Sequence, residues 1–446
     1  MKKAKIYYYN FPTFKNKDEK LAKVKQTKFA NIPFELIKPD KNANWINQTD
    51  NDFDDLLPLC SKDVKLGRSE EAVFQLYSFG VSTNRDEWVY DFDVETLKKK
   101  ANFFIDKYNS LLNQKKKNYD KSIKWSETLK TYFNKNIKLE KGNTEIIKSH
   151  YRPFSKKYFY ANRYLSDRLT QNHFDIFGED LQQKNKIITI HNHIQLFDFT
   201  LFSLNVIPDA GFSGRGTPVI SLYRYTTEGK QIDNITQWAL NEFRSHYSVG
   251  SHRRASNDDD TKPHDGVAVR ELEREDIFHY VYGVLHNPAY RKKYELNLKR
   301  EFPRIPFYKD FWFWSEKGKE LMELHLDYEK IEKYDLEREE KPLKSGSLNK
   351  AKLKAKKEEG IIVLDEKTTL KNIPAAAWDY KLGNRSALEW ILDQYKEKKP
   401  RDETIREKFN TYKFEDYKEE VIELLERVCT VSVKTMEIVG EMKGRE

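Results

Sequence analysis

Apolar positions along the 446-residue chain change their period several times, and each change predicts a change of element. In "DVETLKKKANFFIDKYNSLLNQKKK" the residues Val94, Leu97, Ala101, Phe104, Tyr108, Leu111 and Leu112 recur at helical spacing. Asp93 is placed to cap that helix, and the lysines at 115–117 suit the negative end of its dipole. "EDIFHYVYGVLH" sets Ile277, Tyr280, Val281, Val284 and Leu285 on one face. Asn287 and Pro288 then stop it and supply the N-cap and first position of the next helix, which ends before Pro303. "DFWFWSEKGKELMELHLDYEKIE", "RSALEWILDQY" and "EDYKEEVIELLERVCTVSVKTMEIV" are further amphipathic helices.

Between the helices the pattern shortens. "KIYYYN" reads as one strand, and "VFQLYSFGVSTNRDEWVYDF" as two strands joined by the polar turn "STNRDE". "KYFYANRYL", "NKIITIHNH", "TPVISLYRY" and "GIIVLD" are further strands. Residues 329–359 are mostly charged and read as an exposed connection or hairpin. The expected architecture is α+β: a β-rich part braced by helical segments. The boundaries fall at 1–72 (N-terminal segment), 73–144 (strand hairpin plus helix), 145–230 (β-rich part), 231–330 (helical part), 331–360 (charged linker) and 361–446 (C-terminal helical part). No internal repeat is seen.

Composition narrows the classes. Hydrophobic residues at 38% and aromatics at 14% supply a core and exclude general disorder. The formal charge of +9 permits a polyanionic partner without demanding one. Two cysteines, Cys60 and Cys429, form neither a zinc cluster nor a disulfide framework. No apolar run resembles a signal peptide or reaches the ~18 residues of a membrane helix. The expectation is a cytoplasmic protein.

Charge clustering adds more. "HYRPFSKKYFYANRYLSDR" packs Arg152, Lys156, Lys157, Arg163 and Arg168 among six aromatic rings, with Asp167 as the one acid. Two compatible readings exist: a hairpin with rings inward and cations in water, or a nucleic-acid surface whose cations neutralise phosphates and fork onto guanine. Asn84 and Arg85, beside Asp86, are either turn residues or types that read adenine and guanine edges. Arg215 and Arg224 are weaker candidates of the same kind. Pro208-Asp209 followed by Glu228-Gly229-Lys230 fits the loose PD…ExK pattern of magnesium nucleases, though a glycine beside Lys230 suits a turn better than a strand. "HNH" at 191–193 is three adjacent letters rather than a spread ββα motif, and "GFSGRG" lacks the context of a phosphate loop. The (N/D/S)PP(Y/F/W) tetrapeptide of amino-methyltransferases is absent from the sequence.

The stretches "FGVSTNRDEWVYDF", "HYRPFSKKYFY", "FHYVYGVLHNPAYRKKYELNLKREFPRIPF", "GKELMELHLDYE", "YKLGNRSALEWILDQY" and "CTVSVKTMEIV", taken in order from about residue 73 to the end, resemble the C-terminal part of the Type ISP restriction–modification enzymes. The early "KIYYYN" resembles the last strand of the methyltransferase domain that precedes this region. The resemblance implies sequence-specific recognition of double-stranded DNA for an adenine-N6 methyltransferase and restriction enzyme, without catalytic motifs in this chain. S-adenosylmethionine, ATP and magnesium would belong to the upstream domains, and a methyltransferase–helicase polypeptide encoded nearby is the further expected partner. It also implies structural roles for Pro208, Asp209, Glu228 and Lys230, because the family's nuclease lies at the other end of the polypeptide. Two alternatives stay open: a metal-dependent nuclease, and an RNA-binding or scaffold protein.

Overall fold

A computed structural model describes residues 4–9, 17–39, 44–45, 49, 51–114, 118–141, 146–191, 199–214, 216–254, 270–343, 346 and 348–445. The chain divides into two units, Met1–Asp54 and Asp55–Glu446. The expected boundary at 72 is therefore displaced: Leu57–Pro58 pairs with Arg304–Ile305 and ties the intervening segment into the larger unit. In the smaller unit Ile6–Tyr8 pairs antiparallel with Glu35–Ile37. Tyr7, Leu21, Val24, Phe29, Phe34 and Leu36 are exposed there.

The larger unit is α+β. The helix Val94–Leu112 forms where the periodicity places it: Asp93 accepts from the Thr96 amide at 2.7 Å, and Leu97, Ala101, Phe104, Tyr108 and Leu111 are buried. Asn287 caps Pro288–Lys293 by accepting from the Ala289 amide, with Pro288 at the first turn. Arg274–His286 packs on Phe311–Leu326, which in turn contacts the C-terminal helix Lys418–Glu441. One contiguous core runs from Leu76 to Val431. No described helix is long and apolar enough to cross a membrane.

Among the described residues, three sheets have more than two strands. The first, of three strands, orders Tyr90–Asp91, Ser155–Tyr160 and Ile146–Arg152. The second orders Tyr77–Phe79, Pro218–Ser221, Ile187–His191 and Thr200–Leu204. The third orders Glu337–Glu340, Thr368–Lys371, Ile361–Val363 and Lys354–Lys356. Two expectations are corrected here. "VFQLYSFGVSTNRDEWVYDF" is not a hairpin: its two strands join different sheets, and Asp86–Val89 between them is a short helix that buries Trp88 and Val89. The charged segment 331–360 is not a linker. It supplies two strands of the third sheet, whose charges pair across strands and outward, as in Lys371–Glu339 at 2.9 Å and Arg338–Glu419 at 2.7 Å.

The first two sheets meet at the segment 207–210. The Asp209 amide donates to the His150 carbonyl at 3.0 Å, and the Val81 amide donates to the Pro208 carbonyl at 2.9 Å. Gly80 makes this approach possible, because a Cβ there would lie 2.4 Å from the Asp209 carbonyl oxygen.

Candidate nucleic-acid interface

The strands Ile146–Arg152 and Ser155–Tyr160 form the hairpin expected in the aromatic and cationic stretch, closed at Pro153-Phe154 with Phe154 at φ 55°. Its cations do not stand in a row toward solvent. Lys156 reaches Glu329 at 2.5 Å and lies 5.2 Å from the Tyr328 ring centre. The Lys157 ammonium sits between Phe92 and Tyr151, at 4.5 and 4.3 Å from their centres, and Lys148 lies 3.6 Å from the centre of Tyr158. Burial, with Lys100 nearby, lowers the Lys157 pKa to about 7. The idea that rings fix the hairpin while every cation faces a duplex is therefore corrected for Lys156 and Lys157. The rings and one distant carboxylate absorb both charges, as cation–π contact allows.

Arg85 is corrected as well. Its side chain is 0% exposed and donates to Asp167 at 2.9 Å, to the Leu165 carbonyl at 2.6 Å and to Ser126 Oγ at 2.5 Å. Asn84, held at φ 55°, donates its amide to the other Asp167 oxygen at 2.6 Å. Asp167, the one acid of the basic stretch, thus organises Asn84 and Arg85 together. This donation uses one of the two Nδ2 hydrogens of Asn84 and fixes the amide plane, leaving the second hydrogen and the carbonyl oxygen.

Next to this cluster opens a cleft of about 1150 Å³, lined by Asn84, Asp86, Arg152, Arg168, His173, Asp209 and Arg401 among others. A recess of about 510 Å³ shares Asn84, Asp86, Arg152 and Arg401 with it and adds Tyr151 and Lys124. Chain regions far apart in sequence build these walls. The structure brings Asn84, Arg152 and Arg168 together there. Arg401 and Lys124, both exposed, were missed by the sequence reading. Arg401 stands in the charged run "KEKKPRDE", and its place is fixed only by the fold: Glu87 accepts from the Arg401 and Asp402 amides, each at 2.9 Å, and Asp402 accepts from the Trp88 indole at 2.9 Å.

The floor is not uniformly cationic. Arg152 donates through one terminal nitrogen, Nη1, to Asp209 at 2.6 Å and to the Tyr151 carbonyl, and its other terminal nitrogen lies 3.9 Å from Asp86. Asp86 also accepts from Thr83 and from the Tyr151 hydroxyl. Burial pushes the Asp209 carboxyl up to about 6 against the pull of Arg152. At the rim, Arg168 and Arg401 are exposed and make no ion pair among the described residues. The charge that remains for a ligand is therefore at the edge.

Arg163 is exposed and lines neither recess. Arg224 lies on the strand Tyr223–Tyr225, half-buried, with a long contact of 3.4 Å to the Asp233 carbonyl. Arg215 lies outside the described residues, as do Asn192 and His193 of "HNH" and the lysines at 115–117. The nuclease pattern does not assemble: Asp209 is buried against Arg152, whereas Glu228 and Lys230 occupy the exposed tip of the turn between Tyr223–Tyr225 and Gln231–Asp233. Among the described residues no group of three or more His, Cys, Asp or Glu is placed to hold a metal.

A family model described as the Type ISP C-terminal specificity domain matches residues 72–424. Three solved structures are similar. A DrdV–DNA complex determined by cryoEM is 41% identical with a TM-score of 0.88, over 99% of this chain and 43% of that one. The ATP-dependent Type ISP restriction-modification enzyme LlaBIII bound to DNA is 26% identical with a TM-score of 0.74, over 93% and 26%. A nuclease-deletion mutant of the Type ISP enzyme LlaGI, in complex with a DNA substrate mimic, is 28% identical with a TM-score of 0.77, over 99% and 33%. The chain thus spans less than half the length of each of these relatives. No curated protein matches it.

Proposed function

The chain belongs to the Type ISP C-terminal specificity domain family, and from that premise we propose that it recognises a double-stranded DNA target for a Type ISP restriction–modification system. The observation that carries the reading is the cleft shared by Asn84, Arg152, Arg168 and Arg401, with polar groups fixed by internal bonds at its floor and unneutralised guanidinium groups at its rim. Fixed floor groups suit base edges, and rim cations suit phosphates. The three similar structures, whose printed descriptions name DNA or a DNA substrate mimic, support the same assignment. Methylation, ATP hydrolysis and cleavage, with S-adenosylmethionine, ATP and magnesium, belong on this reading to other parts of the enzyme, and the work is done in the cytoplasm.

Selection from random duplexes, run with the purified chain at two salt concentrations, tests the proposal. The expected result is an enriched sequence motif and an affinity that falls as salt rises. Enrichment of no motif, or stronger competition by single-stranded RNA than by duplex, overturns it.

A further inference from the structure

Within the cleft, Arg152 differs from the rim arginines in every property that separates reading a base from gripping a phosphate. Both hydrogens of Nη1 are spent inside the protein, on Asp209 and on the Tyr151 carbonyl. The guanidinium plane rests on the Tyr151 ring at 4.0 Å, and four-fifths of the side chain is buried. These contacts fix the fork and leave its other edge, Nε and Nη2, without a hydrogen bond among the described residues. Arg152 lines both the cleft and the adjoining recess. Residue 211 is a glycine whose backbone lies close to the guanidinium: a Cβ there would stand 3.2 Å from Nη2, so any side chain at 211 would crowd that edge.

The charge argument points the same way. Asp209 at 2.6 Å and Asp86 at 3.9 Å cancel the field of Arg152 at its own position. A phosphate brought there would meet two carboxylates. The O6 and N7 atoms of guanine carry no net charge, lie side by side and accept the two parallel hydrogen bonds that a rigid fork offers. Resting on the functional reading above, we propose that Arg152 is a base-reading residue that selects guanine through its Nε–Nη2 edge, with Asp209 and Tyr151 as its positioning residues, while Arg168 and Arg401 hold phosphates.

The test uses the full chain and the duplex motif that the wild type selects. Arg152→Lys keeps a cation against Asp209 but loses the fork. The double variant Arg152→Gln/Asp209→Asn removes both charges together, so that neither is left buried alone. Each is expected to lose discrimination at one G·C pair by about 5- to 150-fold, with an unchanged dependence of affinity on salt. In the wild type, 7-deazaguanine placed at that pair removes the N7 acceptor and weakens binding; in Arg152→Lys it has no further effect. Because the base-analogue arm uses unaltered protein, the inference stays open to refutation even where a variant folds poorly. Retention of the complete motif by both variants, a salt slope reduced by about 0.9 with the motif intact, or indifference of the wild type to 7-deazaguanine at every position would each overturn the role of Arg152. Those results leave the functional reading standing, whereas a wild type that selects no motif removes both.

Discussion

The cations of the 146–160 hairpin and those of the cleft rim are alike in chemistry and opposite in circumstance. Lys156 rests on Glu329, Lys157 between two rings, and Arg152 against Asp209. Arg168 and Arg401 are exposed and make no ion pair among the described residues. Local sequence does not separate the two sets, since both stand in basic runs. The difference is made by acids delivered from elsewhere: Glu329 is 173 positions from Lys156, and Asp209 is 57 from Arg152. A cluster of cations and rings is evidence for a polyanionic ligand only after the protein's own carboxylates have been subtracted.

The comparison can be broken most severely on the interior side. Arg85→Ala leaves Asp167 buried without its partner, and is expected to cost about 3–5 kcal/mol in urea unfolding; a loss below about 1 kcal/mol would show that the Arg85–Asp167 pair is not the internal anchor described here. On the rim, Arg168→Ala and Arg401→Ala should each weaken duplex binding about eightfold at 0.1 M salt and lower the salt slope by about 0.9, with the fold intact. Salt titrations of affinity measure this, and unchanged slopes would move the phosphate grip elsewhere.

Lys157→Met is expected to be nearly neutral or stabilising at pH 7, within about 1 kcal/mol, because a well-packed apolar side chain replaces a buried cation. It also carries a pH signature. The folded Lys157 pKa lies near 7, below the ordinary 10.5, so the unfolded chain binds more protons between these values. The burial penalty is complete below about pH 7 and is relieved as pH rises toward 10.5, so wild-type stability climbs across that window relative to the variant. Parallel stability–pH curves would contradict the buried position of the ammonium. Smallest of all, Lys156→Ala should change stability by no more than about 1 kcal/mol and leave the salt slope of DNA binding where it was.

Much of the helical frame was legible. The period of Val94–Leu112, its Asp93 cap and the Asn287–Pro288 boundary are local properties, set by spacing and by one side chain's reach to a nearby amide. The strands Ile187–His191 and Pro218–Ser221 were legible as apolar β-branched runs. In the third sheet Ile361–Val363 was legible within "GIIVLD", but Glu337–Glu340 and Lys354–Lys356 were not: they have no apolar alternation, and partners such as Glu419 and Lys371 that balance their charges are supplied by the fold. Asn84, Arg152 and Arg168, named from the sequence as separate candidates, line one cleft. Their division into floor and rim depended on Asp209, Asp167 and Asp86, and Arg401 arrived from over two hundred residues beyond Arg168, so no local pattern could announce it.

The contact at Gly80 constrains how such a cleft can diversify. Where the first two sheets touch, the spacing is that of bare main chain, and even a methyl group on residue 80 would intrude on the carbonyl of Asp209. On the proposed reading, side chains on either side of this seam, at 82–86 and from 211 onward, can be exchanged to change target preference, while position 80 admits only glycine at this spacing.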